Sequence, residues 1–274
     1  NYIFRRVSNY DWEEIIGAPH KLIRHPDMPR GVFQLFWDVL KSGKTVGAYV
    51  KNRSKDNLHY WVFAAVVPCE GGGYLSARIK PTSPLLAEIQ TLYTKMALAE
   101  KEQGLSPVES MQIMEDWVRE KGFDDYQHFA SHALAEELIA RDEGLGRKAD
   151  AEIFELRKML HNAEKLLDET RGLVKDFEAM HTIPHNLRVI ASRIEPSGGP
   201  VTVLSQNYGA MSREMSDWFE RNVMGENTNF ATVKHSVNSS LFIAGMTRIL
   251  VECDAQLQNE RRTSSQVDMA TERA

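Results

Sequence analysis

The sequence predicts an α+β unit, with short helices leading into an antiparallel meander, followed by an all-α region that ends in coiled-coil helices. Three observations predict it. Short helical segments with start and stop signals fill the chain up to Gly43, three strand-like runs follow, and beyond Pro84 no strand pattern recurs.

The elements follow in order. Asp11 with Glu14 three residues on is an acidic form of the capping box, and the short helix it starts stops at Gly17-Ala18-Pro19. Residues 20–29 read HKLIRHPDMP. Pro26 fixes its own φ and drives His25 out of the α region, so Arg24, His25 and Asp27 are carried on stiff backbone. A rigid cationic edge with one carboxylate suits an anionic, hydrogen-bonding ligand such as a phosphorylated cofactor. The plainer reading is a helix start, with Asp27 or Met28 as the cap and Pro29 at the first helical position. Val32, Leu35, Phe36, Val39 and Leu40 then recur at helical spacing.

Strands are expected at 45–52, 58–67 and 74–80, joined by Ser54-Lys55-Asp56-Asn57 and by Glu70-Gly71-Gly72-Gly73. In the middle strand His59, Trp61, Phe63 and Ala65 alternate with Tyr60, Val62 and Ala64, so one set lines a pocket and the other packs on a helix or partner. Helices are expected at 85–103, from Ser106-Pro107 to near Gly122, and at 124–142. From Ala151, residues Ile153, Leu156, Leu160, Ala163, Leu167, Thr170, Val174 and Phe177 step by three and four, a heptad pattern. Pro184 and the run Pro196-Ser197-Gly198-Gly199-Pro200 interrupt it, and helices resume at 201–223 and 229–260. The polar stretch from Arg261 lacks an apolar stripe and reads as a disordered tail.

Composition narrows the function classes. At 274 residues the chain can bury a real core. A net charge of −5 gives no support for nucleic-acid binding. VFAAVVPC is too short to span a bilayer, which takes roughly 18 apolar residues, and no signal peptide is present, so no membrane insertion is expected. Cys69 and Cys253 lie far apart without metal spacing, which points to a reducing, cytoplasmic setting. No Ser/His/Asp set, Walker loop, dinucleotide fingerprint or metal cluster occurs, and Gly71-Gly72-Gly73 is a turn rather than a phosphate cradle, so the chain reads as a non-enzyme.

The opening third carries a more specific signal. Asn1, VSNY before the acidic turn, IGAPH, IRHPDMP, the aromatic helix with Trp37, VKNR, and HYWV with Trp61 together resemble the PAS domain of bacterial aerotaxis receptors, over residues 1–83. The resemblance implies a PAS α+β fold whose first strands lie before Asn1, holding FAD non-covalently and reporting its redox state. It implies cofactor-binding roles for Arg24, His25 and Asp27, with Asp27 orienting Arg24, and further for Asn1, Trp37, Asn52 and Trp61. Haem is the second cofactor possibility, through His20, His25 or His59, and a cofactor-free scaffold is the third. Cys69 falls at a strand end, which counts against cysteinyl-adduct photochemistry, and Trp12, Trp37 and Trp61 read first as core.

Further on, NLRVIASRIEPSGGPVTVLSQNYGAMSREM resembles the signalling tip of methyl-accepting chemotaxis proteins. Asn186, Val189, Ala191, Ser192, Arg193, Gly198, Gly199, Val201 and Val203 match, whereas Ile190, Pro196, Pro200 and Asn207 depart from the pattern. The resemblance implies a homodimer, with a chemotaxis histidine kinase and its coupling protein as partners. His185-Asn186-Leu187-Arg188 echoes a phospho-acceptor box, yet its acidic neighbour is missing and no ATP-binding segment follows, so His185 reads as a helix-surface residue. His181 falls on the heptad seam. The expected organisation is a PAS sensor at 1–83, a helical connector at 84–146, an antiparallel coiled-coil signalling region at 147–262 and a tail at 263–274.

Overall fold

The computed structural model describes residues 2–179, 182–194, 199–225 and 227–271, with side chains at all of these except 179, 182, 190–194 and 259–271. The described chain divides into two compact units, Asn1–Phe154 with Leu241–Ala274, and Glu155–Ser240.

The first unit has the expected order of short helices, an antiparallel sheet and then longer helices. Helix α1 (Tyr2–Ser8) precedes α2 (Trp12–Ile15), whose start carries the predicted box, Asp11 N donating to Glu14 Oε2 at 3.0 Å. A 3₁₀ turn (His20–Ile23) leads into the proline-fenced loop, and α3 spans Arg30–Lys41. Pro29 is the N-cap of α3 rather than its first helical residue, and no side chain of the loop caps the helix. Glu100 does so from elsewhere in the chain, accepting from the backbone N–H groups of Arg30 and Gly31 at 3.0 Å each. Its carboxylate thus satisfies orphan donors at the positive end of the helix.

Strands β1 (Val46–Arg53), β2 (His59–Pro68) and β3 (Tyr74–Ile79) pair antiparallel in the order β1-β2-β3. In register, Asn52 faces Tyr60, Ala48 faces Ala64, and Ala64 faces Arg78. Because directly opposed residues share a face, one side carries Ala48, Val50, Asn52, Tyr60, Val62, Ala64 and Arg78. The other carries Gly47, Tyr49, Lys51, His59, Trp61 and Phe63.

Three helices cover the second face: α4 (Leu85–Glu102), α6 (Tyr126–Gly144) and the part of α10 (Asn229–Thr271) that begins at Leu241. Tyr93 of α4 donates to the Tyr49 carbonyl at 3.0 Å and tilts against Trp61 with ring centroids 6.0 Å apart. Tyr126 of α6 donates to the Gly47 carbonyl at 2.8 Å. A Cβ at Gly47 would stand 2.8 Å from Phe63 Cζ and 3.0 Å from Phe242, so the absent side chain is what lets the α10 ring seat there. Tyr49 and Phe63, each 1% exposed, meet edge to face in this core. Helix α5 (Pro107–Glu120), with the Ser106–Glu109 capping box, packs on α3 and α4. Salt bridges Arg248–Asp142 and Arg141–Glu252 fasten α10 to α6.

The second unit holds most of α7 (Ala151–Ala179), then α8 (Thr182–Ile194), α9 (Pro200–Phe219) with a π-helical turn at Glu220–Met224, and the start of α10. The heptad positions are the shielded ones on α7, with Leu160 at 5% and Thr170 at 3% exposure. Helix α9 is fixed to its neighbours by Ser205 Oγ donating to the Pro184 carbonyl at 2.7 Å and Ser212 Oγ to the Phe177 carbonyl at 2.9 Å. His181, Pro196 and Gly198 lie outside the described residues, as do the side chains of Ile190, Ala191, Ser192 and Arg193. The backbone of α10 stays helical to Thr271 through most of the stretch expected as a tail, and 272–274 lie outside the described residues. Among the described residues no helix is long and apolar enough to cross a membrane.

Candidate functional site

The site begins with a one-residue step. Arg24 forms a single antiparallel bridge with Asn52, and His25 N donates to the Lys51 carbonyl at 3.3 Å, so Arg24 and His25 run as a stub of strand along β1 before a turn at 26–28. Consecutive residues of such a stub point to opposite faces. Arg24 therefore joins Asn52 on the face away from α4 and α6, while His25 joins Lys51 on the other.

On the first face the sheet floor is made of small or branched apolar residues, Ala48, Val50, Val62 and Ala64, and α3 forms a wall above it. The Arg24 guanidinium lies 3.4 Å from the centroid of the Phe33 ring on α3. Trp37, farther along α3 and 40% exposed, meets Tyr74 edge to face at 5.6 Å, at the end of the floor remote from Asn52. Asn52 is 0% exposed, and among the described residues neither its side-chain nitrogen nor its side-chain oxygen has a hydrogen-bond partner. Arg24 Nε, Tyr60 OH and Arg78 Nε are likewise buried without partners among the described residues. Leaving a buried polar atom unpaired costs about 1–3 kcal/mol, so a cluster of them on one face marks a place built for something other than protein.

Charge in this cluster is lopsided. Burial lowers the pKa of both Arg24 and Arg78, and among the described residues no carboxylate pairs with either. Arg78 Nη2 sits 2.5 Å from His20 Nε2. Desolvation, followed by the charges of Arg78 and Arg24, lowers the His20 pKa to about 4, so near neutral pH the imidazole is uncharged and its Nε2 accepts from the guanidinium. Burial likewise raises the Tyr60 pKa, which keeps its hydroxyl a neutral donor.

The remaining expected residues fall elsewhere. Asp27 does not orient Arg24; its carboxylate accepts from Lys51 Nζ at 2.9 Å, and that hydrogen bond is the main cause of its lowered pKa. His25 Nδ1 accepts from Asp27 N at 3.1 Å, and its ring meets His59 edge to face at 5.9 Å. Desolvation, then the charge of Lys51, lowers the His25 pKa. Trp61 lies on the same second face, against α4. Asp27, Lys51, His59, Trp61, Tyr93 and Glu100 border an open groove of about 770 Å³ there. Asn1 lies outside the described residues. Of the seven expected positions the structure thus brings Arg24 and Asn52 together, sets Trp37 at the far end of the same floor, and puts His25, Asp27 and Trp61 across the sheet.

Sequence reasoning named His20 only as a haem candidate and did not assign Tyr60 or Arg78 to the site. Tyr60 was half visible, because strand alternation separates it from Trp61, but its pairing with Asn52 needs the register. Arg78 has no local signal, since its place opposite Ala64 is fixed only when β3 pairs with β2.

Three comparisons with known proteins bear on this site. Residues 1–73 match a family model described as the PAS fold. The Aerotaxis receptor of Escherichia coli (strain K12) is 43% identical over 97 residues, which are 34% of this chain and 19% of the receptor. The match therefore spans about a fifth of that receptor's length. The light-state structure of the blue-light photoreceptor Aureochrome1 LOV aligns at 15% identity with a TM-score of 0.29, over 38% of this chain and 78% of that one.

Proposed function

Its N-terminal segment being a PAS domain of the aerotaxis-receptor type, we propose that the chain is a redox or oxygen sensor, rather than an enzyme, that holds FAD between α3 and the sheet and signals through its helices. The observation that carries this reading is Asn52: a fully buried amide with both of its polar atoms unpaired, beside a half-buried arginine whose Nε is also unpaired. A flavin ring supplies reversible uptake of electrons and protons. The alanine and valine floor accepts a flat ring, Asn52 offers a donor and an acceptor to its polar edge, and Arg24 attracts its anionic part. His25 and Asp27 serve from the opposite face, where their bonds to Lys51 and to each other hold the loop that aims Arg24.

The loop and the helices are physically joined, which supports the signalling half of the reading. Glu100 of α4 caps α3 directly after the loop, and Arg30 Nη2 donates to the Leu105 carbonyl at 2.7 Å. A change of charge in the site shifts the loop and reaches α4 and α5 through these bonds. Dimerisation is supported by two stripes of large exposed apolar side chains repeating every seven residues, Met159, Leu166 and Leu173 on α7 and Leu204, Met211 and Trp218 on α9. The α8–α9 segment is where a chemotaxis kinase and its coupling protein dock under the resemblance of its sequence.

The test is an absorbance spectrum of the purified protein, taken as isolated and after incubation with FAD, before and after dithionite. Flavin bands that bleach on reduction support the sensor. A protein that stays colourless after incubation overturns it and leaves a cofactor-free scaffold, and a Soret band transfers the site to haem.

A further inference from the structure

Arg78 is the residue of this cluster that no resemblance assigns and no local pattern reveals. It stands on β3 opposite Ala64, which itself stands opposite Ala48, so its stem rises beside the smallest side chains of the sheet floor. Its Nε is buried and unpaired, its Nη2 meets a histidine rather than an acid, and the ring of Phe4 lies 5.9 Å from its guanidinium carbon. Arg24 stands in the loop on the same face, with Phe33 beneath it and its own Nε unpaired, and its charge acts on the same histidine. Buried arginines are ordinarily paired with carboxylates or with bound anions, because desolvating an uncompensated charge is costly. Here two half-buried arginines, each with its Nε buried, share one neighbourhood, their close protein neighbours are aromatic rings and an imidazole, and the backbone bridge of Arg24 to Asn52 ties them to the orphaned amide.

We infer that Arg24 and Arg78 together form an anion clamp, with His20 as the spacer between them, that takes a negatively charged group of the ligand held over the alanine floor. This rests on the reading of the site as a flavin-nucleotide pocket and deepens it. Two guanidiniums present forked donors, a geometry that suits an oxyanion or a flat ring edge carrying negative charge. The anion is therefore either a phosphate of the nucleotide or the flavin ring when reduction makes it negative.

The experiment uses the full chain, freed of any ligand, as wild type, Arg78→Gln and Arg78→Lys, with circular dichroism confirming that each is folded. Riboflavin, FMN and FAD are titrated by flavin fluorescence, and the midpoint potential of the bound flavin is measured against a reference dye. If the clamp holds phosphate, Arg78→Gln weakens FMN and FAD by about tenfold or more, as for a lost charge-assisted hydrogen bond, and leaves riboflavin within about twofold. If it holds the ring, the affinity for all three oxidised flavins stays within about twofold and the midpoint potential falls, because the reduced, negative form has lost its counter-charge. In either case Arg78→Lys, which keeps the charge and loses the fork, falls between wild type and Arg78→Gln. A folded Arg78→Gln protein with unchanged affinities and unchanged potential overturns the clamp. Should the wild type bind no flavin, the sensor reading fails separately, and the clamp is judged on inorganic pyrophosphate. A rise in melting temperature with pyrophosphate that Arg78→Gln abolishes supports it, and no rise in the wild type overturns it.

Discussion

The hydroxyl of Tyr49 on β1 donates to Glu137 Oε1 on α6 at 2.8 Å, across a separation of 88 residues. The same carboxylate, 0% exposed, accepts from the backbone N–H groups of Thr82 and Ser83 and from Ser83 Oγ. One buried acid thus joins the sheet, the approach to α4 and the middle of α6.

Removing it leaves four donors without their acceptor. Glu137→Leu is expected to destabilise the protein by about 3 kcal/mol, and Glu137→Gln by about half of that because one acceptor oxygen remains. Urea unfolding followed by circular dichroism measures both; equal stabilities in the three proteins would show that the bonds carry no net weight.

Asn52 sets stability against function. Asn52→Val should leave the ligand-free protein as stable as wild type or more stable by about 1 kcal/mol, because it removes two unsatisfied polar atoms from a β-strand that favours valine. The same variant should lose FAD, read from the ratio of flavin absorbance to protein absorbance after gel filtration. A clear loss of stability without FAD would mean that Asn52 serves the fold instead.

Arg24 and Asp27 are three residues apart and should behave differently. Arg24→Ala is expected to empty the site while the helices stay folded. Asp27→Ala removes an exposed ion pair with Lys51, worth about 1 kcal/mol or less, and should retain FAD at reduced occupancy at most. Full flavin retention by Arg24→Ala, or complete loss only in Asp27→Ala, would reverse the assignment of the two faces.

Gly31 has no room for a side chain. A Cβ there would lie 2.5 Å from Met111 N and 2.6 Å from the Ser110 carbonyl carbon, both backbone atoms of α5 that cannot swing aside. Gly31→Ala is therefore expected to cost about 2–3 kcal/mol through separation of α3 from α5, in spite of the better helix propensity of alanine. Thermal unfolding gives the answer, and an unchanged midpoint would show that the two helices yield freely.

His20 makes stability depend on pH in a definite direction. Its folded pKa of about 4 lies below the ordinary value of 6.5, so between these limits the unfolded chain binds the extra proton. The contribution is fully present above pH 6.5 and is lost as the pH falls toward 4. Part of the ring remains in water, which makes the loss smaller than the displacement alone implies. His20→Gln should flatten the stability profile in that window, and a profile identical to wild type would remove His20 from the cluster.

Much of this was legible locally. The Asp11–Glu14 box, the Ser106-Pro107 helix start, the strand alternation around Trp61 and the spacing of Leu160 and Thr170 are signals spanning a few residues, and each fell on the element it specified. Expectation and structure parted at Pro29 and at Asp27. Pro29 caps α3 without a side-chain partner because Glu100, brought from α4, does the capping. Asp27 turns to Lys51 because the bridge at Arg24 places His25 on the Lys51 side of the sheet and the turn that follows carries Asp27 back over it.

The sequence by itself determined the order of helices and strands, the stiff cationic loop that carries Arg24 and the strand that carries Asn52, since propensity, capping and periodicity act over one or two turns of chain. Only the tertiary structure decided which of those residues share a face. Register is a long-range property: pairing β3 with β2 set Arg78 beside Ala64, and the single bridge between Arg24 and Asn52 sent His25 to the other side. A shift of one residue in either pairing would exchange the two faces, and nothing within the loop itself records which pairing wins.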